Sequence, residues 1–218
     1  MTPMDRVALL VGSAVALSMI WILIDWQKQL ETKHISNIYH MIAFSVLLIS
    51  SLLLSFLGWD ILGFMGDGTE NKMVAVLASA IPFAWASGIV SRMYPRYGKI
   101  YLSIMILGLL LITFSRFMEL KTFGRIIYPV FHSTAGFTVI LIPIIAVIKR
   151  RMSPAFLWIA FGGSLISMGG ISMAFLIAGR QLLFFSTPIL LSIMAPLLLV
   201  TTASYAWGLK HGTINLQR

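Results

Sequence analysis

The chain has no cysteine. That removes disulfides, thiolate metal sites, iron–sulfur clusters and a cysteine nucleophile at once. Charge is scarce as well. Only 11% of the 218 residues are Asp, Glu, Lys or Arg, against about 25% in a soluble domain whose surface must face water. Acid is scarcer still. All seven carboxylates, Asp5, Asp25, Glu31, Asp60, Asp67, Glu70 and Glu119, fall between apolar runs or at their edges. Ion-coupled pumps need a carboxylate inside the membrane to take up and release protons or cations, so this distribution argues against that class. Zinc-protease, phosphate-loop and nucleophile-elbow motifs are also missing. No polar stretch is long enough for a soluble domain, and residues 1–218 read as a single transmembrane domain.

What the chain has in quantity is apolar surface: 59% hydrophobic residues and a mean hydropathy of +0.94. A span needs about twenty mostly apolar residues to cross the hydrocarbon. Seven runs qualify: Val7–Trp26, Ser36–Trp59, Met73–Arg92, Ile100–Ser115, Ile126–Ile148, Ala155–Gly179 and Leu182–Trp207. Lipid offers the backbone no hydrogen-bond partner, so each is expected to be helical. The expected fold class is an all-α, polytopic integral membrane bundle of about seven transmembrane helices. The first run is long for a signal-peptide core and is followed by Asp25-Trp26-Gln27-Lys28, not by small residues. The last two runs are parted only by Gly179-Arg180-Gln181, which predicts a tight hairpin and leaves six spans as the alternative count.

The net charge of +9 would suggest nucleic acid in a soluble protein. Here the basic residues sit at run ends, as topology requires, and no nucleic-acid partner is expected. Anionic head groups of a lipid bilayer are the simpler partner. One set of ends holds Lys28, Lys33, Arg92, Arg96, Lys99, Lys149, Arg150, Arg151, Lys210 and Arg218; the other holds Arg6, Lys72, Arg116, Lys121, Arg125 and Arg180. The larger set is expected in the cytoplasm, with the N-terminus outside, the C-terminus inside and the cell membrane as location. Tryptophans and tyrosines near the run ends fit interfacial belts, and Trp59–Lys72 reads as an acidic, glycine-bearing outer loop. Glycines and serines between Phe161 and Ser172 predict a closely packed, central sixth helix.

Few residues remain for chemistry. The last run has no lysine before Lys210, so a retinal-type Schiff base has no amine to form on. The thirteen methionines are scattered, without the paired spacing of a copper path. His40 and His132 lie inside runs, about 8 to 9 Å deep at 1.5 Å per residue. An ionisable residue in that position is a site candidate. Imidazole within a helical bundle suits haem b, so both are candidate haem-binding residues or members of a polar network. Their runs point in opposite directions, which puts them some 10 Å or more apart in depth and disfavours a shared iron. Arg116, Glu119, Lys121, Arg125 and Arg180 gather near the outer face with His132. Such a cluster is suited to an anion, haem propionates or the acidic surface of a partner subunit.

The resulting expectation is a non-enzymatic multi-pass subunit or accessory component of a larger membrane complex, with other membrane subunits as partners. A cytochrome b-like electron carrier is one alternative. A facilitative transporter or seven-helix sensory receptor module, its pocket shaped by Pro82, Pro143 and Pro196, is the other.

Overall fold

The computed structural model describes residues 1–62, 72–177 and 181–212, with the backbone alone at residues 75, 121 and 173–177. Seven long helices carry the described chain: α1 (Pro3–Lys28), α2 (Ile35–Leu57), α3 (Lys72–Met93), α4 (Pro95–Phe117), α5 (Lys121–Ile148), α6 (Leu157–Ile177) and α7 (Thr187–Gly212). No strand occurs among the described residues. All seven are long and apolar enough to cross a membrane.

Local chemistry sets their ends. Thr2 and Asp5 form a reciprocal capping box, Asp5 N–H donating to Thr2 Oγ1 at 3.2 Å and Thr2 N–H to Asp5 Oδ2 at 2.8 Å, while Pro3 occupies the first helical position. His34 caps α2 by accepting from Ser36 N–H at 3.1 Å. Glu119 and Arg150 each adopt a left-handed φ, 54° and 53°. The next residues return hydrogen bonds into the helix, Leu120 N–H to Ser115 O and Arg151 N–H to Ala146 O, both at 2.9 Å. These are the six-to-one bonds of Schellman turns made without glycine.

Three boundaries differ from those expected from hydropathy. The fourth helix runs from Pro95, so the short run Ile100–Ser115 is the core of a full-length span. The fifth begins at Lys121, five residues before Ile126, because an amphipathic first turn need not be apolar. The last connection is longer than a three-residue hairpin: α6 ends at Ile177 and α7 starts at Thr187. Phe185 N–H closes a turn onto Leu182 O at 3.0 Å before α7. Pro188 thereby falls in the first turn of α7, where its missing donor costs nothing.

Six helices form a ring in the order α1, α2, α3, α5, α6, α7, closed by α7 on α1. The fourth helix lies outside it, against α3 and α5. Chain direction alternates, as end contacts attest: Lys72 at the start of α3 pairs with Glu119 at the end of α4 at 2.8 Å, and Arg92 at the end of α3 bonds the start of α2. At the same end as Arg92, Ser153 donates from its backbone to Gly212 O at 3.1 Å and from Oγ to His211 O at 2.7 Å, satisfying the last carbonyls of α7.

The surface is apolar and the interior carries the hydroxyls. Trp21, Phe56, Leu110 and Phe137 are exposed, whereas Ser13, Ser51, Ser55, Ser87, Ser91, Thr201 and Thr202 are buried. Several of these hydroxyls donate to the carbonyl one turn back, such as Ser13 to Leu9 O and Thr202 to Leu198 O, each at 2.8 Å. Close approach is bought by glycine on α6 and α7. A Cβ at Gly162 would stand 3.1 Å from Ser204 Cβ, and one at Gly208 would stand 2.9 Å from Ile159 N. The sixth helix is therefore tightly packed, as its small residues predict, but the bundle centre is filled from α3 and α7, the most buried of the seven long helices.

Candidate functional site

That centre is an aromatic column. Trp85 on α3 and Tyr205 on α7, both fully buried, lie with ring centroids 4.3 Å apart. Trp85 also meets His40 of α2 at 4.6 Å and packs edge-to-face with Phe44 at 5.3 Å. Four residues separate His40 from Phe44, which puts both on one face of α2. Gly88 makes room for the imidazole: a Cβ there would sit 2.7 Å from His40 Nδ1 and 2.8 Å from Nε2. The column holds polar atoms without protein partners among the described residues, namely His40 Nδ1 and Trp85 Nε1.

One turn toward the start of α2 lies a second, hydrogen-bonded layer. Arg92 donates from Nε to Ser36 Oγ at 3.1 Å and from Nη2 to Asn37 Oδ1 at 2.9 Å. Asn37 in turn donates from Nδ2 to Thr32 O at 3.0 Å and to Gln27 Oε1 at 3.3 Å. The Ser36 hydroxyl lies 2.8 Å from His34 Nδ1. Burial, and secondarily the Arg92 guanidinium, hold the His34 imidazole below its ordinary pKa. The last turn of α1, the first of α2 and the last of α3 are thus locked by one polar corner.

The second histidine stands elsewhere. His132 stacks on Tyr128 at 5.1 Å, and the Arg116 guanidinium lies 5.8 Å from the Tyr128 ring centroid, within cation–π range. Tyr128 also shares a side-chain hydrogen bond with Ser79 of α3. Nine residues along α3 separate Ser79 from Gly88, about 13 Å. His132 is one turn along α5, about 5 Å, from Tyr128. The two imidazoles therefore differ in depth by about 8 Å and sit on helices separated by α3. Because α5 starts earlier than expected, His132 lies about 16 Å from its helix start rather than 8 to 9 Å.

As packed, His40 does not fit a haem ligand. Its ring lies against Gly88 of α3 with the Cε1 edge nearest, and Trp85 packs on the ring, so a macrocycle would have to displace α3. Of the outer cluster, Arg116 joins the Tyr128–His132 stack, Glu119 pairs with Lys72, and Arg125 is exposed on α5. Lys121 opens α5, its side chain outside the described residues, as are Arg180 and residues 63–71 of the acidic loop. Trp85 and Tyr205, and the Ser36–Asn37–Arg92 corner, were not marked by any motif. A faint signal exists: Ser36 and His40 on α2, and Gly88 and Arg92 on α3, repeat the same four-residue spacing on two antiparallel helices. The chain matches no protein-family model, no curated protein and no solved structure.

Proposed function

We propose that the chain is a multi-pass integral membrane protein, its Arg92 end in the cytoplasm, acting as a non-catalytic subunit of a larger membrane assembly. One observation carries the reading. The outward face of α5 exposes Thr122, Arg125, Ser133 and Thr134, and the last two lie near the middle of a 28-residue helix. Lipid favours apolar side chains at that depth, whereas small hydroxyl residues suit the close approach of another helix. Their hydroxyls are occupied internally, Thr134 donating to Val130 O at 2.7 Å, so the face is smooth rather than reactive.

The interior supports the same reading. The His40–Trp85–Tyr205 column fills the ring where a carrier would need a path. The described carboxylates stand at helix ends, Asp5 within a cap, Asp25 accepting from Gln29 and Glu119 on Lys72. The basic end carries the larger share of Lys and Arg, which supports its cytoplasmic placement.

The assembly is tested by native gel electrophoresis after gentle solubilisation from the membrane in which the chain is made. Wild type should migrate within a larger complex. Ser133→Trp should release it, while Leu110→Trp, on the exposed face of α4, should not. Migration of wild type at its own size, together with solute flux by the purified chain in liposomes, would replace this reading with a transporter.

A further inference from the structure

The guanidinium of Arg92 is held by its side. Its Nε and one Nη2 hydrogen go to Ser36 and Asn37, both fully buried and both neutral. Asn37 cannot turn away, because its amide is anchored to Thr32 and Gln27. The end-on edge of the guanidinium, Nη1 with the second Nη2 hydrogen, has no hydrogen-bond partner among the described residues. Among the described residues no carboxylate pairs with Arg92. The ion pair formed among the described residues, Lys72–Glu119, is at the other end of α3. The ionisable side chains that Arg92 acts on are His34 and His40, both bases. One turn below, His40 is 1% exposed and its Nδ1 is unpartnered.

A half-buried cation fixed by neutral acceptors, beside two bases and with a free fork of donors, lacks only an anion. A guanidinium fork matches two oxygens of a phosphate at once, in a way that a point charge does not. The fork sits at the helix ends, the level at which phospholipid head groups lie. We propose that the Arg92 corner, built by Ser36 and Asn37, binds an oxyanion of the phosphate class, either a lipid phosphomonoester or free phosphate. The site is independent of the subunit reading, and its test uses the isolated full chain.

Two arms separate the sources. In neutral maltoside detergent, inorganic phosphate is titrated at constant ionic strength while the thermal midpoint is followed. In bilayers of equimolar phosphatidylcholine and phosphatidate, native mass spectrometry counts the lipid retained on ejection. A saturable rise with inorganic phosphate identifies a free-phosphate site. No rise, but retention of phosphatidate over phosphatidylcholine, identifies a head-group site. Arg92→Gln should abolish whichever is seen. Because that variant also loosens the α2–α3 contact, a second pair is needed. His34→Asp and His34→Asn both preserve the cap on Ser36 N–H, but only the first places a carboxylate beside Arg92. The Asp variant should bind at least about ten-fold more weakly than the Asn variant. Failure to bind either source, binding that survives Arg92→Gln, or equal affinity in the His34 pair would overturn the site.

Discussion

His34 does two things at one corner: it caps α2 and it stands beside the Arg92 guanidinium. Its pKa is lowered from 6.5 by burial first and by Arg92 second. The unfolded chain therefore takes up the proton before the folded one does. The stability linked to this group is fully present above about pH 6.5 and is lost as pH falls toward the lower folded value. Thermal midpoints measured downward from pH 8 should decline below 6.5, and less steeply in His34→Asn. At pH 8 that variant should lie within about 1 kcal/mol of wild type, since Asn is itself a good cap. Deeper in the bundle, on α3, Gly88→Val should lower stability by about 1–3 kcal/mol by driving side-chain atoms into the His40 ring of α2. His40→Ala should recover much of that loss, and strict additivity in this double-mutant cycle would show that the two sites do not touch. His40 was legible in the sequence as an ionisable residue within an apolar run. Its setting was not, because no spacing rule tells which face of α3 turns toward it, or that the indole of Trp85 rather than a hydrogen-bond acceptor receives it.

Among the helices, seven could be counted from hydropathy alone, since lipid forces every long apolar run into the same structure. Their ends were less legible. Caps such as Thr2–Asp5 announce themselves, but α4 and α5 extend into polar residues that a hydropathy reading discards. Two ends rest on residues that pay for a left-handed backbone. Arg150→Gly should keep the Schellman turn and remove that strain, raising stability by up to about 1 kcal/mol in thermal melts; a fall would mean that the Arg150 side chain makes a contact worth more than its strain. The glycines of the last two helices are unequal. A Cβ at Gly208 would meet Ile159 N at 2.9 Å, whereas nothing lies within 4 Å of one at Gly170. Gly208→Val should separate α6 from α7 at a cost of about 1–3 kcal/mol, while Gly170→Val should be nearly neutral. The sequence marks Gly170 as part of the sixth helix's small-residue stretch and leaves Gly208 unmarked, and the packing reverses their weights.

At the scale of the whole molecule, the ring places two pairs of parallel helices side by side, α3 with α5 and α1 with α7. The second pair needs no direct connection, because the rest of the chain joins it. The first pair does. A chain that leaves α3 at the Arg92 end must return to the Lys72 end before α5 can begin, and α4 is that return. It occupies the role of a crossover segment between parallel strands, stretched to the thickness of a bilayer. This explains why α4 lies outside the ring with an apolar outer face: its route is constrained more tightly than its side chains. Excising residues 95–117 would therefore not yield a neat six-membered ring. Helices α5 to α7 would have to enter from the opposite end, carrying Arg150 and Lys210 with them, and the Ser153 clasp on the end of α7 would close at the far end of the bundle from Arg92.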